Sequence, residues 1–146
     1  MRKANHWHRG FTLIQMLLVL GIVSLLMTAT TMEVERAKNR IALQTTVDTV
    51  MQEYEHVRKQ AMVEGESYLL YFYKQRVIYY CRSIDPNSKV FEYEFPTGVS
   101  AYPNRYLHIR GGSGYLEPMT VTFTGADHAQ IQLSFQLGGE YEGHWL

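Results

Sequence analysis

A chain of 146 residues has room for one domain and none for a second catalytic one, since domains commonly run to about 100 to 150 residues. Hydrophobic residues at 46% and charged ones at 19% describe a folded protein and exclude a disordered tail. The 14 basic and 14 acidic side chains cancel. From Gly65 onward Lys74, Arg76, Arg82, Lys89, Arg105 and Arg110 face eight carboxylates, so this region shows no clustered basic footprint for strong non-specific nucleic-acid binding.

The chain opens with Arg2, Lys3 and Arg9, followed by residues 11–32, FTLIQMLLVLGIVSLLMTATTM, 22 residues without a formal charge. As a helix this run would measure about 33 Å, close to the bilayer hydrocarbon thickness of about 30 Å. It predicts a single membrane crossing. Leu17, Leu18, Leu20, Leu25 and Leu26 put apolar surface on several sides, as suits a helix surrounded by lipid or by other apolar helices. The three leading cations keep the N-terminus cytoplasmic and place everything after Met32 outside the cell. A secretory signal peptide is the plain alternative. Against it, the run exceeds the usual apolar core of about 7 to 15 residues, and residues 28–31 lack an A-x-A sequence.

Polarity then changes, but neither Gly nor Pro interrupts the chain between residues 33 and 64. Leu43, Val47, Val50, Tyr54, Val57 and Ala61 recur at spacings of three and four, predicting an amphipathic helix with one apolar face. Gly65 is the expected stop, because a left-handed residue after the last turn carries no Cβ penalty there.

Beyond it the pattern is that of strands. Residues 67–73 (SYLLYFY), 77–82 (VIYYCR) and 90–95 (VFEYEF) are rich in aromatic and β-branched side chains, the last two separated by the turn signal Asp85-Pro86-Asn87-Ser88. Further strands are predicted at 106–110, 120–124 and 130–137. In QIQLSFQL, Ile131, Leu133, Phe135 and Leu137 alternate with polar residues, so one face is expected to be buried. Short connections favour antiparallel pairing. The predicted fold class is α+β: a helix of roughly 50 residues, its first half transmembrane and its second half packed on an antiparallel sheet formed by residues 65–146.

Chemistry-bearing patterns are weak. His6 and His8 are neighbours without Cys or carboxylate beside them, so no metal site is expected, and no cofactor motif is present. Gly111-Gly112-Ser113-Gly114 lacks the Lys-Ser or Lys-Thr of a phosphate loop and reads as a flexible surface loop. The pairs Glu92/Glu94 and Glu140/Glu142 read as solvated strand faces in preference to acid-base sites. Cys81 is the one cysteine, expected as a buried thiol in a strand. Tyrosines concentrate between residues 68 and 106, where sheet packing accounts for most of them and base stacking is the alternative.

The segment Arg9-Gly10-Phe11-Thr12-Leu13-Ile14-Gln15, opening an apolar helix, resembles the class III signal of type IV pilins and pseudopilins, whose usual form carries Glu where this chain has Gln15. The resemblance implies a cytoplasmic leader of residues 1–10, cut by prepilin peptidase between Gly10 and Phe11, with N-methylation of Phe11. It also implies a retained helix that anchors the subunit and later packs among its copies, with Gln15 as an assembly residue. The small head and the ending Phe135-Gln136-Leu137-Gly138-Gly139-Glu140-Tyr141 resemble ComGD-type minor pilins of Gram-positive competence pili and related GspH/FimT-like pseudopilins. That implies a non-enzymatic minor pilin, partnered by other pilins, the membrane and transforming DNA. Arg76, Arg82, Arg105 and Arg110 are then the candidate DNA contacts. A type II secretion pseudopilin and a membrane-anchored DNA- or ligand-binding module are the alternatives.

Overall fold

The computed structural model describes residues 7–82 and 89–146. One helix, α1 (Trp7–Glu64), precedes eight strands: β1 (Tyr68–Phe72), β2 (Arg76–Cys81), β3 (Lys89–Glu94), β4 (Ser100–Tyr102), β5 (Arg105–Ile109), β6 (Met119–Thr124), β7 (Gln130–Phe135) and β8 (Tyr141–Trp145). The chain divides into two compact units, Met1–Ala37 and Lys38–Leu146. In the first, every described side chain of α1 from Leu13 onward is exposed.

In the second unit the predicted helix face is the one that packs. Leu43, Val47, Val50, Tyr54, Val57 and Ala61 are buried, joined by Met51 one turn from Val47. Thr46 is buried among them, its hydroxyl donating to the Ala42 carbonyl at 2.8 Å and so not stranded.

The strands form two antiparallel sheets, ordered β3-β2-β1-β5 and β4-β6-β7-β8. The α+β expectation therefore holds with a division the periodicity did not carry: strands that alternate in the same way can pair into one sheet or two. Tyr68, Leu70 and Phe72 of β1 and Val77, Tyr79 and Cys81 of β2 face the same core as Val121, Phe123, Ile131, Leu133 and Phe135 of the second sheet. Phe72 joins the layers, its ring 6.2 Å from Phe123 and 6.1 Å from Phe135, while Tyr54 meets Phe135 at 5.2 Å. Cys81 is a buried free thiol, as expected. Tyr79 is buried with its hydroxyl donating to the Val50 carbonyl at 3.0 Å, and burial holds its phenol well above the usual range.

Two strands were not expected. β4 is only three residues long, between Gly98 and Pro103, and β8 carries Glu142, Gly143 and His144 with every residue exposed, so neither shows an alternating apolar face. Leu137, expected to continue the buried row of β7, is 56% exposed because the strand ends at Phe135 and turns through Gly138 and Gly139. The turn signal at Asp85, Pro86, Asn87 and Ser88 lies outside the described residues.

Glycine fixes both ends of the helix-to-sheet junction. Gly65 follows the last helical residue at φ +75°, the left-handed stop expected there. The Gly111-Gly112-Ser113-Gly114 run is anchored, contrary to the expectation of a flexible loop. The Gly112 amide donates to the Ala61 carbonyl at 2.8 Å and so caps α1, while the Gly111 amide donates to the Ser67 hydroxyl at 3.1 Å. A Cβ on Gly111 would stand 2.0 Å from the Gly65 carbonyl oxygen, which explains a glycine at that position.

Candidate functional site

The apolar part of α1 is the first candidate. Its window of highest hydropathy averages 2.2, with none of it buried inside the chain, so it is long and apolar enough to cross a membrane. Its hydroxyls do not spoil that surface. Ser24 donates to the Leu20 carbonyl at 2.8 Å, Thr28 to Ser24 at 2.7 Å, Thr30 to Met27 at 2.9 Å and Thr31 to Thr28 at 2.9 Å. Each of these four hydroxyls is satisfied within the helix, which lowers the cost of placing it in lipid. Gly10 and Phe11 lie within α1, and Gln15 is exposed on its surface one turn beyond Phe11. Polar character returns at Glu33, whose carboxylate meets Arg36 at 3.1 Å.

The four candidate arginines lie on or just beyond strands of the sheet β3-β2-β1-β5, which splits them into two pairs. Arg76 begins β2 and Arg105 begins β5, at the end of the sheet where Phe72 pairs with both Val77 and Arg105. Arg82 follows β2 and Arg110 follows β5, at the opposite end, and both depress the pKa of His108 after the larger effect of burial. Arg76 lies 5.3 Å from the centre of the Tyr73 ring and 3.0 Å from the Glu92 carboxylate. Lys89 holds the other Glu92 oxygen at 2.9 Å. These two cations keep the Glu92 carboxyl below its usual range, the Lys89 hydrogen bond contributing most. Glu92 is an exposed ion-pairing residue, and both Glu92 and Glu94 lie on a solvent-exposed strand face. Glu140 and Glu142 are exposed, in the turn before β8 and on β8.

Two residues of α1, Tyr54 of the periodic apolar face and Arg58, which periodicity does not single out, hold the segment 135–141. The Tyr54 hydroxyl donates to the Gly139 carbonyl at 2.8 Å, and the Arg58 guanidinium donates to the Gly138 carbonyl at 2.7 Å. Both come from α1, four residues apart on one face.

No protein-family model and no curated protein sequence matches the chain. Two solved structures do. The minor pseudopilin EpsH from the Type 2 Secretion System of Vibrio cholerae matches with a TM-score of 0.56 at 12% identity, over 70% of this chain and 96% of its own. The type IV minor pilin FimU of Pseudomonas aeruginosa matches with a TM-score of 0.59 at 12% identity, over 72% of this chain and 90% of its own. The fold is that of minor pilins and pseudopilins.

At 12% identity a shared pilin-type fold rests on pattern, not on particular side chains. In this chain the second unit has an apolar α1 face, a layer of inward aromatics, and a final hairpin pinned back to the helix. In this pilin-type head the Gly138-Gly139 turn is a docking element, since the Arg58 guanidinium occupies the space where a Gly139 side chain would begin.

Proposed function

We propose that this protein is a minor pilin that acts by assembly, not catalysis, in a competence-type type IV pilus serving the uptake of transforming DNA. The observation that carries the reading is a pilin-type head built on a helix whose N-terminal part presents an exposed, predominantly apolar surface, the hydroxyls of Ser24 and Thr28 satisfied within the helix. Such a surface suits lipid before assembly and sister helices afterwards. Moving between two apolar environments changes hydrophobic free energy little, so packing and polar pairing direct the association.

In this reading prepilin peptidase cuts between Gly10 and Phe11 on the cytoplasmic side, Phe11 becomes the N-methylated terminus, and the head lies outside the cell. Gln15 replaces the acid that would pair with a neighbour's terminal amine; an amide offers a hydrogen bond without a buried charge pair. A first-assembled subunit has no preceding amine to neutralise, so Gln15 supports a place near the filament tip.

A strain lacking the protein should lose transformation while its secreted enzymes leave the cell normally. The reverse pattern would favour a type II secretion pseudopilin, the reading that the likeness to EpsH supports. Uniform labelling of the protein along filaments would contradict the tip assignment.

A further inference from the structure

The neutral composition conceals a segregation that only the fold exposes. All six cations after Gly65, namely Lys74, Arg76, Arg82, Lys89, Arg105 and Arg110, lie on or beside the sheet β3-β2-β1-β5. Among the described residues the carboxylates on or beside the same sheet include Glu66 just before β1, Glu92 and Glu94 on β3, with Glu92 engaged by Arg76 and Lys89, and Glu117, whose charge acts on His108 of β5. The sheet β4-β6-β7-β8 carries no Lys or Arg, and its core-averted face is a carpet of Thr120, Thr122, Thr124, Gln130, Gln132 and Ser134.

The core-averted face of the first sheet is built differently. Val77 and Tyr79 face the core, so Ile78 between them faces away; it is nonetheless buried, and it pairs with Tyr71 on β1. Around it stand tyrosines from three adjacent strands. Tyr71 lies 5.5 Å from Tyr80 and 5.4 Å from Tyr106, with Tyr73 stacked at 6.2 Å. Tyr106, at the edge of this row, is 59% exposed. Beyond Tyr73 a groove of about 830 Å³ opens between Lys74, Arg76, Glu94 and Asn104.

From this face we infer that the head binds single-stranded polynucleotide: the tyrosine row stacks unpaired bases, and Arg82 and Arg110 beside it meet the phosphates, while Arg76 at the other end is held by Glu92. Aromatic rings offer any base a stacking surface, and a flanking cationic track holds the backbone. Duplex DNA keeps its bases stacked inside and would engage only the cations. Arg105 shares the parity of Leu107 and Ile109, which face the core, and so lies outside this set. The inference rests on the DNA-uptake reading for its setting, while its chemistry is that of the sheet face.

The test is fluorescence anisotropy with full-length protein in detergent, an oligothymidylate of about 12 nucleotides and a duplex of equal length. The single strand should bind more tightly. Tyr106→Ala, at an exposed site where folding is least at risk, should weaken it by about 5- to 100-fold while leaving duplex affinity unchanged. Arg82→Ala or Arg110→Ala should each lower the salt slope by about 0.7. Thr122→Ala on the other sheet should change nothing. Equal affinity for duplex and single strand, or an unaffected Tyr106→Ala, overturns the inference. Absence of oligonucleotide binding together with loss of co-purifying pilins in Tyr106→Ala would make the face a subunit contact and overturn it too. Filament incorporation of the same variant is scored separately: binding without incorporation sinks the pilus reading, and incorporation without binding sinks this one.

Discussion

Gly139→Ala tests the way the final hairpin is pinned to the helix. Gly139 sits at φ +81°, where an alanine is strained by about 1 kcal/mol. Its new Cβ would lie 2.3 Å from Arg58 Nε and 2.6 Å from Cζ, so the guanidinium must leave and its 2.7 Å bond to the Gly138 carbonyl is lost. A charged hydrogen bond is worth about 1.5 to 3 kcal/mol, and partial solvent exposure brings this one towards about 1. The total is about 2 to 3 kcal/mol, a large part of the roughly 5 to 15 that stabilise a domain. In an Arg58→Ala background the clash and the bond are both absent, leaving about 1 kcal/mol of backbone strain, so the two sites should couple by about 1 to 2 kcal/mol. Urea unfolding of residues 38–146 reads each value as a shift in midpoint at constant slope. Equal cost of Gly139→Ala in both backgrounds would refute the docking argument.

Gly111→Ala should be far more damaging than Gly112→Ala. The first places a methyl 2.0 Å from backbone, whereas the second meets open space and bears only the strain of φ +77°, about 1 kcal/mol by thermal melting. Tyr79→Phe should cost about 1 kcal/mol in the same melting assay, since the Val50 carbonyl keeps its helical partner when the hydroxyl is removed. His108 has its folded pKa lowered by burial and by Arg82 and Arg110, with Glu117 opposing. The unfolded chain therefore takes up a proton first, so stability should fall as pH drops below the ordinary histidine value towards the depressed one. The difference in urea midpoint between wild type and His108→Gln should shrink or change sign over that interval, and a difference independent of pH would remove the assignment.

Much of the fold was written in periodicities that one residue type carries alone. The helix face from Leu43 to Ala61 and the alternation of Ile131, Leu133 and Phe135 each report burial directly, because only one side of the element meets the core. β8 was silent for the opposite reason: with all five residues exposed it has no buried side to reveal. The division into two sheets was equally hidden, since pairing is decided by which strands meet, not by how each alternates. For the candidate sites, the apolar helix and Gln15 were legible locally. The grouping of Arg82 and Arg110 beside the tyrosine row was not, because they are far apart in the chain and collected only by antiparallel pairing. Arg58 reads as part of a solvated helix face until the Gly138-Gly139 turn is laid against it.

The intact mass of the protein recovered from sheared filaments tests the retention of the apolar helix most directly. Residues 11–146, with or without a single methyl on Phe11, is the species expected. A filament-free, secreted species beginning after Met32 would contradict the account.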